Sequence, residues 1–369
     1  MLPTTRRQFV ASFSALGMPA IPLWARAQNA AAERQFNPQP GSWRSFEITT
    51  RVELQSPKGD TRVWLPIPSL NTDYQQSLDS TWQGSATRME QASDERYGAK
   101  MLVADFAGSD AKSFVELSSR FRTQSRALDW NTTQPAKEDP ATLAYWTQPT
   151  DFMPTDGIVR KTAQEITRGA RADSDKVRKL YDWVVTNTYR EPKVRGCGVG
   201  DIKAMLETGN LGGKCGDINA LFVGMCRSVG LPARDVYGVR LVPSAFGYKE
   251  LSGNPANLAR AQHCRAEVYL QSFGWVAMDP ADVGKVMRLE TPEWLKTTNN
   301  PVVAPVYKAL FGGWEGNWLG FNTAHEVALP GSKGPRLAFL MYPQAENASG
   351  RLDPLEPDQF KYTITAREI

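Results

Sequence analysis

Two kinds of side chain are scarce in this chain of 369 residues, which has four cysteines and two histidines. Four cysteines are too few for a disulfide scaffold, and neither a Cys-x-x-Cys nor a His-x-x-x-His spacing suggests zinc. No apolar run approaches the roughly 20 residues that a membrane-spanning helix needs. We therefore expect no metal and no membrane insertion, and any histidine chemistry must use His263 or His325.

The charge balance makes a nucleic-acid partner unexpected. The formal net charge is +4, but Arg6, Arg7 and Arg26 lie in the first 27 residues, and without them the net charge is near +1. A chain this close to neutral lacks the basic excess of a nucleic-acid-binding protein. The Gly-rich stretch at 195–200 lacks the spacing and the Lys-Ser/Thr pair of a phosphate loop, so we expect no nucleotide cofactor.

Residues 1–27 have the features of an export signal. The pair Arg6-Arg7 in Thr5-Arg6-Arg7-Gln8-Phe9 resembles a twin-arginine signal, and a weakly apolar run follows from Val10 to Leu23. Ala25-Arg26-Ala27 has the small-x-small form that signal peptidase accepts. We expect a mature protein that begins near Gln28 and is periplasmic or secreted. A plain secretory signal, or a chance Arg-Arg pair, is the alternative.

Three regions follow the leader. Residues 28–150 contain alternating apolar runs and then a linker rich in Thr, Pro and Asp, which predicts a β-sandwich-like N-terminal domain. Residues 151–290 contain helical periodicity followed by strand-like runs, which predicts an α+β core. Residues 291–369 include two more strand-like runs, which predicts a C-terminal extension that packs on the core or on the N-terminal domain.

One predicted helix begins at Cys215. Its apolar face repeats at helical spacing, and Gly230 with Pro232 ends it. A cysteine at this position is favoured as a thiolate by the helix dipole, and the unpaired first-turn N–H groups can face an oxyanion. The glycines around it leave room for a substrate backbone to approach; they are Gly212, Gly213 and Gly216.

Two strand-like runs carry the other candidate groups, His263 at the start of the first and Asp279 at the end of the second. In an antiparallel hairpin that pairs Tyr269 with Trp275, Asp279 lies opposite Arg265. Asp279 is then on the same face as His263 and diagonal to it, and such diagonal neighbours are about 7–8 Å apart. A pairing shifted by one residue turns Asp279 to the wrong face. We therefore predict an odd-length loop or an equivalent bulge.

Together these groups suggest nucleophilic catalysis. A thiol needs a base, and the base needs a group that orients it, so we predict that Cys215, His263 and Asp279 meet in one pocket open to solvent. Other polar or aromatic residues fit structural roles better. We expect a hydrogen-bonded or surface His325, an Arg234–Glu267 ion pair, buried Trp314 and Trp318, and a buried, inert Cys226.

The segments around these three residues resemble the transglutaminase-like superfamily, which includes bacterial cysteine protease homologues. The resemblance is carried, in the family's order, by Gly213-Lys214-Cys215-Gly216-Asp217, Gly230-Leu231-Pro232-Ala233-Arg234, His263-Cys264-Arg265-Ala266-Glu267-Val268-Tyr269 and Gly274-Trp275-Val276-Ala277-Met278-Asp279-Pro280. It covers about 158–282. It departs from the family at Arg265, where relatives often have an aromatic residue.

This resemblance implies a papain-like core and acyl transfer from peptide-like amides through a thioester. Cys215 is then the nucleophile, His263 the general base and acid, and Asp279 the orienting carboxylate. Tyr189 is the candidate for a second oxyanion donor, beside Gly213 and Gly216. Hydrolysis of a peptide or protein is the first expectation. Protein cross-linking and a non-catalytic envelope scaffold that keeps the fold are the alternatives, and oligomeric state is not indicated.

Overall fold

The structure is a computed structural model that describes residues 34–55, 59–108, 112–133 and 135–369. The predicted export signal at 1–27 lies outside these residues. In the part of the chain that is described, no helix combines the length and the apolar character needed to cross a membrane.

Strands occur along the whole described chain. In order they are β1 (Arg44–Gln55), β2 (Thr61–Pro66), β3 (Gln75–Gly84), β4 (Arg88–Ser93), β5 (Lys100–Phe106), β6 (Lys112–Thr123), β7 (Arg126–Ala127), β8 (Tyr189–Arg190), β9 (Gly212–Gly213), β10 (Ala233–Arg240), β11 (Gln262–Leu270), β12 (Gly274–Met278), β13 (Gly313–Trp314), β14 (Trp318–Asn322), β15 (His325–Val327), β16 (Leu337–Phe339), β17 (Gln344–Asn347), β18 (Gly350–Leu352) and β19 (Lys361–Glu368).

Helices are concentrated in the middle of the chain. They are α1 (Pro140–Tyr145), α2 (Gly157–Thr167), α3 (Asp173–Asn187), α4 (Ile202–Thr208), α5 (Cys215–Ser228), α6 (Pro280–Leu289) and α7 (Ala304–Ala309). The α+β prediction is confirmed, and α5 begins at Cys215 as the apolar periodicity predicts.

Two antiparallel sheets form a sandwich from both ends of the chain. One has the order β19-β1-β6-β3 and the other β18-β17-β2-β5-β4. Residues of a single parity in β1, among them Val52 and Leu54, are buried with Val63 and Leu65 of β2 in one apolar cluster. The alternation predicted for the N-terminal strands thus produces the inner face of the sandwich. Three C-terminal strands complete it.

A third sheet carries the site. Its order is β12-β11-β10-β14, all antiparallel, and α5 lies against β10 and β11 with every one of its residues buried. A helix that is buried on all sides is a core element, so its packing fixes the backbone of Cys215 beside the sheet. β14 comes from the C-terminal region, so that region completes this sheet as well.

The hairpin of β11 and β12 has the predicted register. Tyr269 pairs with Trp275, and Leu270 also pairs with Gly274, which leaves a three-residue loop. Because the loop is odd in length, the position after Met278 falls opposite Arg265, so Asp279 is on the side of the sheet that His263 faces. The prediction from side-chain parity is confirmed.

Candidate active site

Cys215 is the first residue of α5, and a buried carboxylate fixes the turn that leads into it. Asp217 Oδ2 accepts the backbone N–H of Lys214 at 2.9 Å, while Oδ1 accepts those of Val199 and Gly200 at 2.9 Å. Asp217 thus ties the Gly-rich stretch before α4 to the start of α5. Among the described residues the N–H of Cys215 has no hydrogen-bond partner, so it is available to an incoming oxyanion.

His263 lies near the start of β11 with both its ring and its backbone held. Its Nε2 is 2.7 Å from Asp279 Oδ2, and its carbonyl oxygen accepts the indole N–H of Trp318 at 3.0 Å. Because Nε2 is taken by the carboxylate, Nδ1 is the ring nitrogen left to exchange a proton with the Cys215 thiol.

Asp279 follows β12 directly and is the N-cap of α6, with Pro280 in the first turn. Its Oδ1 accepts the N–H of Asp282 at 3.1 Å and the side-chain amide of Asn219 at 3.4 Å. Two donors at Oδ1 leave Oδ2 free for His263. The cap therefore orients the carboxylate as well as ending the strand.

A second carboxylate, which the sequence analysis missed, also faces His263. Asp282 Oδ2 lies 3.3 Å from His263 Nε2, and Asp282 Oδ1 is hydrogen-bonded to Arg240, which is itself buried. The signal was present, since an acid three residues after an N-cap Asp-Pro lies in the same helical turn. Asn219, one turn after Cys215 on α5, could have been found in the same way.

The paired carboxylates keep the imidazole protonated. Burial and Arg240 lower the pKa of His263, but Asp282 and Asp279 raise it more, to about 9. Burial and the neighbouring Asp282 raise the pKa of Asp279, whereas Asp282, although buried, has its pKa held well below the usual range by Arg240 and His263. Of the two carboxylates beside the ring, Asp282 is thus the one whose pKa is lowered, and Asp279 is the one with the shorter hydrogen bond.

The thiol belongs to a cluster of three cysteines. Hydrogen bonds from Cys197 and Cys264 lower the pKa of Cys215 well below its usual range against the effect of burial, and the hydrogen bond and charge of His263 lower it further. The pKa of Cys197 is raised by its hydrogen bond to Cys215, and burial raises that of Cys264. Only one of the three sulfurs is thus favoured as an anion. All four cysteines, including the buried Cys226, are free thiols.

The predicted opening to solvent is not observed. The exposed fractions are 3% for Cys215, 3% for His263 and 0% for Asp279. A cavity of about 400 Å³ lies nearby, and its lining includes Lys214 and Gln262, which directly precede Cys215 and His263 in the chain. None of the three candidate side chains lines that cavity.

Arg265, the departure from the family pattern, is buried behind the carboxylates. Its guanidinium stacks over Trp318 and Trp314, at 4.6 and 5.1 Å from the ring centroids, and it donates to the carbonyl of Glu315 at 3.0 Å. Its Nε lies 3.7 Å from Asp279 Oδ2. Burial lowers the pKa of Arg265 to about 10. The two tryptophans are core residues, as expected.

The suggested substrate and oxyanion roles of Gly213, Gly216 and Tyr189 are not supported by their contacts. A Cβ at Gly213 would lie 2.6 Å from the Asp217 side chain, and one at Gly216 would lie 2.6 Å from the Cys197 carbonyl oxygen. That same oxygen accepts the Gly216 N–H at 2.8 Å. Internal packing therefore explains both glycines. The Tyr189 hydroxyl donates to the side-chain oxygen of Asn210 at 3.1 Å.

The remaining structural expectations agree with the coordinates. His325 is buried and bonded to Tyr237 and Asp235. Glu267 pairs with Arg234 at 2.7 Å, and it pairs with Arg126 at 2.6 Å as well. Both groups belong to the packing of the sheet.

One group of side chains in the described residues has the spacing of a metal site. Ligand atoms of His263, Asp279 and Asp282 lie within 4.8 Å of one another. However, the guanidinium groups of Arg240 and Arg265 already neutralise the two carboxylates. A dication placed among them would meet two buried positive charges, so the donor set fits a hydrogen-bonded imidazole better than a metal ion.

Comparisons with known proteins agree with this fold. The family model of the transglutaminase-like superfamily matches residues 160–280. An uncharacterized protein of Haemophilus influenzae is 34% identical over 345 residues, which are 88% of this chain and 91% of the relative. The crystal structure of a "putative cysteine protease" from Cytophaga hutchinsonii superposes with a TM-score of 0.53 at 14% identity, covering 90% of this chain and 92% of that one. The chain belongs to the transglutaminase-like superfamily.

Proposed function

We propose that this protein is a thiol-dependent hydrolase of peptide-like amides, a cysteine peptidase or amidase, with Cys215 as nucleophile. The observation that carries the proposal is the convergence of three groups from distant parts of the chain. The thiol of Cys215 lies at a helix N-terminus, close enough to His263 for the ring to lower the pKa of the thiol, and Nε2 of His263 is 2.7 Å from Asp279. Structural cysteines are usually surrounded by apolar groups instead.

The directions of the two pKa shifts favour an ion pair at rest. The pKa of the Cys215 thiol lies well below its usual value, and that of His263 is about 9. At neutral pH both shifts favour a thiolate beside an imidazolium. The nucleophile is then already formed, and the ring already carries the proton that the leaving group needs.

The proposed reaction has two halves. The thiolate of Cys215 attacks the amide carbonyl carbon, and the oxygen takes the negative charge beside the Cys215 N–H. His263 gives its proton to the leaving nitrogen as the C–N bond breaks, which leaves a thioester. Water then gives a proton to neutral His263 and attacks the thioester, and the C–S bond breaks to restore the thiolate. Asp279 and Asp282 act as positioning residues that hold the ring.

Two further parts of the proposal rest on the sequence. We propose that the protein is exported, because Arg6-Arg7 and Ala25-Arg26-Ala27 have the form of an export signal. We also propose that residues 151–290 form the catalytic core, with 28–150 and 291–369 as its supporting parts. Strands from both outer regions share the sandwich sheets, which supports a joint role for them.

The test is turnover by the purified mature protein on a library of acetylated peptide amides, with and without an added primary amine. We expect amide hydrolysis that Cys215→Ala abolishes, by at least about 10³-fold, and that Cys226→Ala, the other helix α5 cysteine, leaves unchanged. Iodoacetamide should label Cys215 fastest at pH 7. Product joined to the amine would assign cross-linking instead, and no Cys215-dependent product of either kind would favour the non-catalytic scaffold.

A further inference from the structure

The cavity near the candidate active site is lined by charged and polar side chains that have no role in the proposed reaction. Its volume is about 400 Å³, which is in the range of small-ligand sites, roughly 300–1,000 Å³. The lining includes Cys197, Lys214 and Gln262, and also residues of the C-terminal stretch 354–362. A chain bound there would contact the residues that directly precede Cys215 and His263.

Positive charge is concentrated on this cavity. Six cationic side chains line it and no carboxylate does; they are Arg190, Lys193, Arg195, Lys214, Arg260 and Lys361. Arg195 is paired with Asp353 and Glu356 outside the lining. The other five have no ion pair among the described residues. Since the chain as a whole is near neutrality, composition alone does not explain this cluster.

Two cations of the cluster, Lys214 and Arg190, lie near each other. Burial and the adjacent Arg190 lower the pKa of Lys214, which shows that these charges repel each other. The Nε of Arg190 is buried and has no hydrogen-bond partner. An anion bound between Lys214 and Arg190 would relieve this repulsion.

Gln262 gives an independent indication of a binding site. It lies between Ala261 and His263, it is only 8% exposed, and both its side-chain oxygen and its side-chain nitrogen are buried without a partner. A buried amide that makes no hydrogen bond is rare and costs about 1–3 kcal/mol for each unsatisfied group. An amide pairs best with another amide, since each offers a donor and an acceptor.

We propose that this cavity binds an acidic peptide, with its carboxylates on the cationic side chains and a backbone amide on Gln262, and so selects acidic amides as substrates. The inference rests on the proposed function, because it places the acidic residues within a few residues of the bond that Cys215 attacks. Carboxylates suit the five unpaired cations, and a peptide backbone suits the unpaired amide.

Binding can be measured without turnover. The probes are acetyl-Ala-Glu-Ala-Glu-Ala-amide and its counterpart with Gln in place of Glu, titrated calorimetrically into the full Cys215→Ala protein. We expect the acidic peptide to bind about 10-fold or more tightly than the neutral one at low salt, and this preference to shrink at high salt.

Variants locate the binding. Lys193→Gln with Arg260→Gln removes two exposed cations of the cavity, and it should reduce the preference for the acidic peptide about 10-fold. Lys161→Gln with Arg171→Gln removes two exposed cations elsewhere, and it should not change the preference. Gln262→Leu should weaken binding of both peptides while raising the melting temperature of the free protein, because it removes the unpaired amide.

Equal binding of the two peptides, or an acidic preference that survives Lys193→Gln with Arg260→Gln, would overturn the inference. These outcomes are independent of catalysis. If the acidic peptide binds selectively but no Cys215-dependent turnover is found, the hydrolase proposal fails and the acidic-peptide site stands. If turnover is found with no preference for acidic peptides, the reverse holds.

Discussion

The two histidines of this chain provide an internal comparison. Each is buried, and each has Nε2 beside an aspartate, at 2.7 Å for His263 and Asp279 and at 3.0 Å for His325 and Asp235. Their surroundings differ. His263 has a second carboxylate, two buried arginines and a thiol at a helix N-terminus, whereas His325 has the hydroxyl of Tyr237, 2.8 Å from Nε2.

This comparison shows that a buried His–Asp pair is not by itself a sign of catalysis. What distinguishes the His263 cluster is a reactive partner on the free side of the ring and a cavity that reaches close to it. At His325 the hydroxyl of Tyr237 occupies the ring nitrogens, and no cysteine is bonded to them. We therefore assign His325 to the packing of β10 and β15.

Replacing each histidine by asparagine should separate the two roles most strongly. We expect His263→Asn to reduce kcat by about 10³-fold or more, because both the proton donor and the partner of the thiolate are lost. His325→Asn should leave kcat of the folded protein unchanged and reduce the free energy of unfolding by about 3 kcal/mol, because Asp235 then loses its partner in a buried site.

Steady-state kinetics and urea unfolding of the same preparations measure both effects. The comparison fails if His325→Asn abolishes turnover while the protein remains folded. It also fails if His263→Asn retains turnover, since the other histidine, His325, is held by Tyr237 and Asp235.

The two aspartates beside His263 should differ in a similar way. In Asp279→Asn, the N–H of Asp282 and the amide of Asn219 keep the oxygen at its present place, so the new NH₂ group faces His263. The ring must then accept at Nε2 and carry its proton on Nδ1, which is the wrong tautomer to receive a proton. We expect kcat to fall by about 10²-fold.

Asp282→Asn should affect stability first. It leaves the buried guanidinium of Arg240 without its anionic partner, and removing one partner of a buried pair costs about 3–5 kcal/mol. Adding Arg240→Gln should recover part of that loss, and this rescue is the control. Equal losses of kcat in Asp279→Asn and Asp282→Asn at equal stability would show that the carboxylates share one role.

The sequence alone was sufficient for much of this site, since periodicity places Cys215 at the start of a helix and side-chain parity sets the register of β11 and β12. These features follow from local rules with a period of 3.6 or 2 residues. Their convergence could be predicted because the hairpin and α5 pack on the same sheet.

The parts that could not be predicted depend on contacts between distant segments. Cys215 is buried near Cys197, a residue 18 positions earlier in the chain, and C-terminal strands return to both the core sheet and the sandwich. The roles of Gly213 and Gly216 depend on Asp217 and the Cys197 carbonyl, which no pattern along the chain reveals. Contacts of this kind, between residues far apart in the chain, follow from tertiary packing and not from local propensity.

Of the two histidine sites, only that of His263 includes a thiol. The contribution of this thiol can be measured from the pH dependence of the free energy of unfolding. The folded-state pKa of His263 is about 9, above the ordinary value of 6.5, so its protonation stabilises the fold fully below 6.5 and this contribution is lost as the pH rises to about 9. The pKa of Cys215 is lowered, so its ionisation adds stability as the pH rises towards the ordinary thiol value of 9. Between about pH 7 and 8.5 the two slopes have opposite signs and cancel.

We therefore expect the free energy of unfolding to be nearly independent of pH in this range for the unmodified protein. Cys215→Ala removes the compensating slope but keeps both carboxylates beside His263, so its stability should fall by about 1.4 kcal/mol per pH unit. Urea unfolding at pH 7.0, 7.75 and 8.5 measures this. In Cys215→Ala with His263→Gln the slope should disappear again, since neither group remains. A slope in the unmodified protein equal to that of Cys215→Ala would mean that the sulfur is not ionised beside His263, and the two histidine sites would then differ only in their hydrogen-bond partners.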